Sequence, residues 1–463
     1  MRLSYSSAVQ QPREDVFAWH TRPGALRRLM PPWLPLQVVS EASSLRDGRS
    51  VVGLWGPLQW VAQHRPEGYD PPNCFVDEVV NLPWRLAGWR HNHLFSPAQD
   101  GSTVVEDKVE TALPPSFLGQ MFSYRHRQLA GDLSVHSWAR EVARDSAAAG
   151  GLPEHVRAGG LTVAMTGTSG LIGSELAAFL TSGGHRVVRL VRRAPARPDE
   201  REWAPASPAP GLLAGADAVV HLAGASIAGR FSEAHKQAVW DSRALPTRRL
   251  AEAAAEERGR SGGPYCFVCA SAVGFYGYDR GDEVLDEASG QGDGFLARLV
   301  AAWEAATLPA AEAGIRTVNV RTGLVQWPRG GVLGALYPLF MSGLGGRLGA
   351  GRQWLPWVSM DDLLGIYLRA LVDRRLSGPL NAVSPQPVTG RAYAETLARA
   401  LRRPAVFSVP SFPVALALGS EGAREFAFAS QRAVPRALER VGHSFRHQDL
   451  ETALRHMLGR WKA

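Results

Sequence analysis

Three groups of residues in this chain have the types and the spacing to do chemistry. The most specific is Gly167-Thr-Ser169-Gly170-Leu171-Ile172-Gly173, directly after the apolar run Leu161-Thr-Val-Ala-Met-Thr166 and directly before residues 174–182, which have helical periodicity. A strand, a glycine-rich turn and a helix in that order make a phosphate cradle. One glycine permits the tight turn, one lets backbone approach a pyrophosphate, and one lets helix and strand pack closely. The first amides of the helix have no carbonyl partner and face the phosphates. The pattern assigns Gly167, Ser169, Gly170, Leu171, Ile172 and Gly173 to a dinucleotide. The second group is Arg192-Arg193, at the end of the next apolar run, His185-Arg-Val-Val-Arg-Leu-Val191. NAD-binding chains carry an Asp or Glu at this point to hold the ribose hydroxyls, and here no carboxylate occurs before Asp199. Two guanidiniums suit a 2′-phosphate, so NADP(H) is favoured over NAD(H); the plainer reading is a solvated basic strand end. The third group is hydroxylic. Ser271 closes an apolar run at 265–271 and Tyr276 follows it, at what a parallel sheet makes its carboxyl edge, where ligands bind. Both hydroxyls can move a proton there, or simply pack.

Other candidates carry less. Cys266 and Cys269 form a Cys-x-x-Cys within a strand, where residues three apart face opposite sides, so neither a metal nor a redox pair is expected of them. His91, His93, His126 and His136 lack the spacing and the carboxylate company of a metal site, and no metal is expected. Asp361-Asp362, at a helix start, reads as a cap. Lysine is scarce: Lys108, Lys236 and Lys462 are the only lysines among 51 basic residues. Any chemistry that needs an amine must draw on one of these three.

The elements that must position these groups fall into two kinds. Past the glycine turn, apolar runs at 217–222, 265–271 and 315–320 alternate with helical stretches at 233–258 and 295–313. Strand and helix alternating at this spacing predict an α/β Rossmann domain, a doubly wound parallel sheet, over 161–404. Residues 1–148 read differently. Strand-like runs occur at 2–10, 36–43, 50–55, 58–64, 74–80, 89–95 and 103–112, with short helical stretches at 13–20 and 24–30. A long helix is predicted over 116–142, with Leu118, Phe122, Leu129 and Leu133 on one face. Charge and tryptophan divide at the same place. Residues 1–150 hold 15 basic and 15 acidic residues and seven of the fourteen tryptophans, so the whole net charge of +8 lies in the remainder. The seam is placed at Ala147-Ala-Ala-Gly-Gly151. The excess charge is dispersed, and no zinc-knuckle, RNA-binding or basic-helix pattern accompanies it, which argues against a nucleic-acid partner. With 45% hydrophobic and 20% charged residues the composition is that of a globular protein. No apolar run reaches the length of a membrane span, and three cysteines cannot frame a disulfide fold, so a reducing cytoplasm is expected.

The order of elements in residues 1–148 resembles the helix-grip domains of the START-like superfamily, which includes polyketide cyclases and coenzyme Q-binding proteins. The resemblance implies an α+β fold whose curved sheet wraps the last helix and encloses a cavity for an apolar small molecule. Trp55, Trp60, Trp84 and Trp89 are candidates for its lining or for the core. The remainder resembles the extended short-chain dehydrogenase/reductase family, in particular its atypical branch of epimerase-family proteins. The residues that carry this are the glycine fingerprint, His221-Leu222-Ala223-Gly224, Ser271-Ala-Val-Gly-Phe-Tyr-Gly277, Trp303-Glu304, Arg321-Thr-Gly323, the glycines of 345–351, and Pro356-Trp357 through Leu363. It implies that Leu222, Ala223 and Gly224 join the nucleotide site. It also implies a small C-terminal helical domain at 405–459, marked by Ser430-Gln-Arg432.

One family feature is missing. Active members move a proton with a Tyr-x-x-x-Lys on the helix after the fifth strand, the lysine lowering the tyrosine pKa. Anchored on Glu304, Leu296 and Val300 stand where that Tyr and Lys belong, and the active-site Ser/Thr falls on Ala272, beside Ser271. Two readings follow. One is an NADP(H)-dependent oxidoreductase or epimerase acting on a small, apolar molecule through Ser271, Tyr276 or a bound water. The other is a non-catalytic NADP(H)-binding sensor or scaffold.

Overall fold

Side chains of β1 (Arg2–Val9), β3 (Arg49–Gly53), β6 (Arg90–Pro97) and β7 (Thr103–Glu110) alternate between more and less buried, the period of a sheet with one face on a core. With β2 (Gln37–Ser40), β4 (Gln59–His64) and β5 (Cys74–Val79) they form one antiparallel sheet in the order β1-β7-β6-β5-β4-β3-β2. Helices α1 (Arg13–Thr21) and α2 (Ala25–Leu29) lie between β1 and β2 in sequence, and α3 (Pro115–Ala148) follows β7. The face of α3 that the periodicity marked is the buried one. Leu118 and Phe122 pack with Val79, Trp89 and Val109, while Leu129 and Leu133 pack with Phe17, Phe75, Phe95 and Val105. This is the helix-grip arrangement. The computed structural model describes residues 2–54, 56–148 and 160–461, without the side chains at 116, 117 and 146–148. Trp55 and residues 149–151 of the expected seam therefore lie outside the described residues.

By its contacts the chain divides into one unit built mainly from Met1–Glu141 and another built mainly from Val142–Leu176 and Arg186–Leu454. The second unit carries β8 (Thr162–Thr166), β9 (Arg186–Val191), β10 (Glu200–Glu202), β11 (Ala218–His221), β12 (Cys266–Ala272), β13 (Asp279–Leu285) and β14 (Arg316–Thr322). All but β13 join a parallel sheet ordered β10-β9-β8-β11-β12-β14, closed by the strand Gly378–Ala382. The two edge strands, β10 and Gly378–Ala382, were not marked by the sequence pattern. Its central strands are buried on both faces, with Val219, Phe267 and Cys269 wholly inaccessible, as a sheet covered by helices on both sides requires. Strand order reverses between β8 and β11, and at such a switch point the two loops splay apart and leave a crevice.

Beyond the sheet, β13 pairs in parallel with Ser430–Ala433. The C-terminal part is thereby stitched to the loop that follows β12. Its helix Ser411–Gly422 breaks at Gly419, where φ is +80°. No described helix is long and apolar enough to cross a membrane.

Candidate functional site

The glycine turn after β8 is built as its spacing predicts. Gly167 has φ +69°, and a Cβ there would stand 2.8 Å from the carbonyl carbon of Leu222 and 2.9 Å from the amide of Ala223; a Cβ at Gly173 would stand 2.1 Å from the oxygen of Gly167. The first contact means that the loops after β8 and β11 touch backbone to backbone. The second means that helix α4 (Leu171–Ser182) can start only where position 173 has no side chain. Ser169 and Gly170 are exposed at the rim. The Leu222–Gly224 loop is pinned from below. Thr166 Oγ1 accepts from the amides of Leu222 (3.1 Å) and Ala223 (3.2 Å) and lies 2.8 Å from His221 Nδ1. His221 Nε2 lies 3.0 Å from Thr247 Oγ1. Since Thr166 Oγ1 already accepts twice, it donates to Nδ1, which leaves the proton of the neutral ring on Nε2. Burial pushes the His221 pKa down to about 3, so the ring is neutral at physiological pH. Gly224 is explained by Arg243, whose guanidinium would lie 3.1 Å from a Cβ at that position. Arg243 donates to the carbonyls of Ala225 and Val239 and lies over Trp303, and burial lowers its pKa to about 10. Thr166, Thr247 and Arg243 escaped the sequence reading because their parts depend on which strand ends are neighbours.

The two arginines after β9 are not equivalent. Arg193 is gripped by both oxygens of Glu200, at 2.9 and 2.7 Å. Arg192 is exposed and forms no ion pair among the described residues. The sequence places no carboxylate before Asp199, but β10 lies alongside β9 and brings Glu200 back to Arg193.

Ser271 and Tyr276 belong to one network. Ser271 Oγ donates to Glu304 Oε1 at 2.6 Å. Arg321 grips the same carboxylate through Nε and Nη2, both at 2.8 Å, and donates from Nη1 to the Tyr276 hydroxyl at 3.2 Å. That hydroxyl stands 2.7 Å from Asn381 Oδ1 and 2.8 Å from the carbonyl of Asp286. Tyr276 is wholly buried, and burial pushes its pKa up to about 12. A phenol that accepts from Arg321, faces two acceptors with its one proton, and has its pKa raised instead of lowered, fits the packing alternative for Tyr276. Ser271 is likewise committed to Glu304. On helix α5 (Phe295–Ala305), Leu296 and Val300 are buried, and both lie toward Gly274, 3.5 and 3.9 Å from where its Cβ would be. The two side chains form an apolar wall beside Gly274. Lys236, the one lysine described in this unit, is held by Glu233 (2.7 Å) and Glu421 (2.9 Å). The pair Asp361-Asp362 does begin a helix, Met360–Val372, and Ser359 caps it by accepting from the Asp362 amide at 3.0 Å.

In the N-terminal unit, sheet and helices enclose a cavity of about 540 Å³. Its lining is chiefly apolar, with Leu29, Leu36, Val52, Trp60, Trp84, Trp89, Leu118 and Met121 among the walls. One side is polar. Asp77, His91 and His93 line it and are buried, with Asp107 behind them 3.0 Å from both imidazoles. The sequence offered these histidines no carboxylate nearby. The register supplies two: Asp77 on β5 stands opposite His91, and Asp107 on β7 opposite His93. The signal within reach of sequence was the i, i+2 spacing of the histidines in a strand, which puts both on one face.

Comparison with known proteins agrees with this architecture. The model of the NAD-dependent epimerase/dehydratase family matches residues 163–381. An epimerase family protein of Mycobacterium bovis is 45% identical over 295 residues, which cover 63% of this chain and 96% of that one. The chain belongs to this family. Residues 409–457 match a domain of unknown function, DUF1731. The crystal structure of a nucleoside-diphosphate sugar epimerase from Corynebacterium glutamicum is 43% identical, with a TM-score of 0.82, and the match covers 99% of this chain and 90% of that one. Human epimerase family protein SDR39U1, solved with NADPH, is 32% identical, with a TM-score of 0.59 over 65% of this chain and all of that one.

The geometry gives the family's motifs physical reasons. Trp303-Glu304 and Arg321-Thr-Gly323 are two ends of one ion pair, Glu304 with Arg321. Gly323 is required because a Cβ there would lie 2.1 Å from the oxygen of Pro356, and Trp357 is buried, donating from its indole to the carbonyl of Gln386. Of Ser430-Gln-Arg432, Ser430 Oγ accepts from the Trp354 amide at 3.0 Å and Arg432 lies over the Trp354 ring.

Proposed function

We propose that this chain binds NADP(H) in the crevice between the glycine turn after β8 and the Leu222–Gly224 loop after β11, and acts as an NADP(H)-dependent oxidoreductase or epimerase-like protein on a small molecule. The observation that carries the reading is the cradle: Gly167 and Gly173 stand where any side chain would strike backbone, and the first turn of α4 offers its free amides beside them. The human relative solved with NADPH supports the choice of nucleotide. Arg192, exposed and without an ion pair, is the residue we assign to the 2′-phosphate, with Arg193 assisting once Glu200 yields. When bound, the nicotinamide supplies or accepts a hydride. The chain's own contribution is to hold and to exclude water. The His221–Thr166 relay fixes the loop after β11, and Leu296 and Val300 present an apolar wall in place of the phenol and amine. Ser271 and Tyr276 position Glu304 and Arg321, so a proton comes from the substrate or from water. We assign residues 1–148 to a START-like domain that receives an apolar small molecule in its cavity, 161–404 to the nucleotide domain and 405–459 to the small C-terminal domain. A reducing cytoplasm suits the three free cysteines.

That wall also favours a second reading, a non-catalytic NADP(H) sensor or scaffold. One experiment separates the two. NADPH affinity is measured by fluorescence, and absorbance at 340 nm is followed with a panel of quinones, ketones and nucleotide sugars. Turnover on any member supports the enzyme; tight NADPH binding with no turnover across the panel supports the sensor; no NADPH binding refutes both.

A further inference from the structure

The polar side of the N-terminal cavity has the form of a metal site. His91 and His93 are two apart on β6 and so share a face, with ring centroids 3.8 Å apart. Asp77 Oδ2 lies 3.2 Å from His93 Nε2 and 3.6 Å from His91 Nδ1, and the three ligand atoms fall within 4.8 Å of one another. A tetrahedral ion with bonds of about 2.1 Å needs its ligand atoms about 3.4 Å apart, a value that the two Asp77–imidazole distances bracket. Behind the rings, Asp107 Oδ1 is 3.0 Å from His91 Nε2 and from His93 Nδ1. A carboxylate behind a ligating imidazole fixes its tautomer and raises its basicity. Asp107 is itself held by His126 Nε2 at 3.1 Å, and His126 Nδ1 by Ser7 Oγ at 2.6 Å. With Asp107 behind the rings, the atoms on their other side are His91 Nδ1 and His93 Nε2, which lie next to Asp77 Oδ2. Asp77 and Asp107 are both buried, and buried carboxylates call for positive charge; a dication at this spot adds to that of Arg22 and Arg125, which also line the cavity. We propose that Asp77, His91 and His93 hold a first-row divalent cation of the zinc class, with Asp107 as the supporting carboxylate and the remaining coordination position open to the cavity. An oxygen of an otherwise apolar ligand is the chemistry that position would take. The inference rests on this cavity alone and is independent of the nucleotide reading.

The test uses the full chain, stripped with a chelator and titrated with Co²⁺ and then Zn²⁺ by visible absorption and calorimetry. One equivalent of Co²⁺ is expected, with d–d bands that Zn²⁺ abolishes. Asp77→Asn and His91→Ala are expected to weaken binding more than 100-fold, and Asp107→Asn about 10- to 100-fold; His235→Ala is expected to leave it unchanged. Asp77→Asn is isosteric, and circular dichroism together with an unchanged NADPH affinity certifies that each variant is folded. Substoichiometric or millimolar binding by the wild type would overturn the proposal. So would one equivalent that survives in folded Asp77→Asn and His91→Ala.

Discussion

Each unit buries a polar network, and the two differ in whether the protein completes them. In the nucleotide-binding unit, Glu304 receives the Arg321 fork and the Ser271 hydroxyl, and Tyr276 meets Arg321, Asn381 and Asp286. Each of these side-chain oxygens is paired. In the N-terminal unit, Asp77, His91 and His93 line a cavity, with Asp107 behind the rings, and the cavity side is where we propose an ion. A satisfied network rigidifies what it touches, whereas an incomplete one awaits a partner. The comparison teaches that the residues of most reactive type in the nucleotide-binding unit, a serine, a tyrosine and a glutamate, are its framework.

The largest effect that could break the comparison is at the closed network. Arg321→Met leaves the Glu304 carboxylate buried without its cation, at a cost of about 3–5 kcal/mol, read as a shift of the urea unfolding curve. Adding Glu304→Leu to the same chain removes the orphaned charge and is expected to recover most of the loss. An Arg321→Met protein as stable as the wild type would mean that the network is not a framework.

Next come the residues that meet the nucleotide. Gly173→Ala forces a methyl to within 2.1 Å of the Gly167 oxygen unless the turn moves. Overpacking of that kind costs about 1–3 kcal/mol, so the unfolding transition is expected to move down by that amount, and NADPH affinity is expected to fall about 10- to 100-fold as the turn shifts. The arginines sharpen the contrast further. Arg192→Ala is expected to weaken NADPH about tenfold, as the loss of one charge-assisted bond implies, and to leave NADH unaffected. Arg193→Ala is expected to do less, since Glu200 already holds that guanidinium. Equal losses for NADPH and NADH in a fluorescence titration would remove the 2′-phosphate assignment.

The two units also differ in how far they could be read from sequence. The nucleotide cradle was legible because its glycines fall within one short segment, 167–173, and their spacing is itself the geometry. All seven N-terminal strands and the buried face of α3 were legible too, through alternation and helical period. What escaped was anything set by register. Asp77 and Asp107 come within reach of His91 and His93 only through pairing of β5, β6 and β7, and Glu200 reaches Arg193 only because β10 lies along β9. Tyr276 was legible in position, while its role stayed open between proton transfer and packing. Its place at a strand end follows from the pattern, but the depth of burial comes from Val383, Leu285 and Ala433, which pack around it from distant segments.

The smallest effect tests the packing role of Tyr276. Tyr276→Phe removes one hydroxyl from a paired site, at a net cost of about 1 kcal/mol. The pH dependence is more telling than the size. Burial raises the phenol pKa to about 12 in the folded protein, against about 10 in an unfolded chain. Below pH 10 both states keep the proton and the stability contribution is intact. As pH rises from about 10 to about 12 the unfolded chain ionises first, and folding stability is lost over that window. Phenylalanine cannot ionise, so the gap between wild type and variant in urea unfolding is expected to narrow above pH 10 and to stay constant below it. Turnover, where a substrate is found, is expected to keep its pH profile between 6 and 9 in the variant. If kcat instead falls more than about 100-fold, the loss typical of a missing general acid, while stability is kept, Tyr276 returns as the proton donor and the closed network becomes the active one.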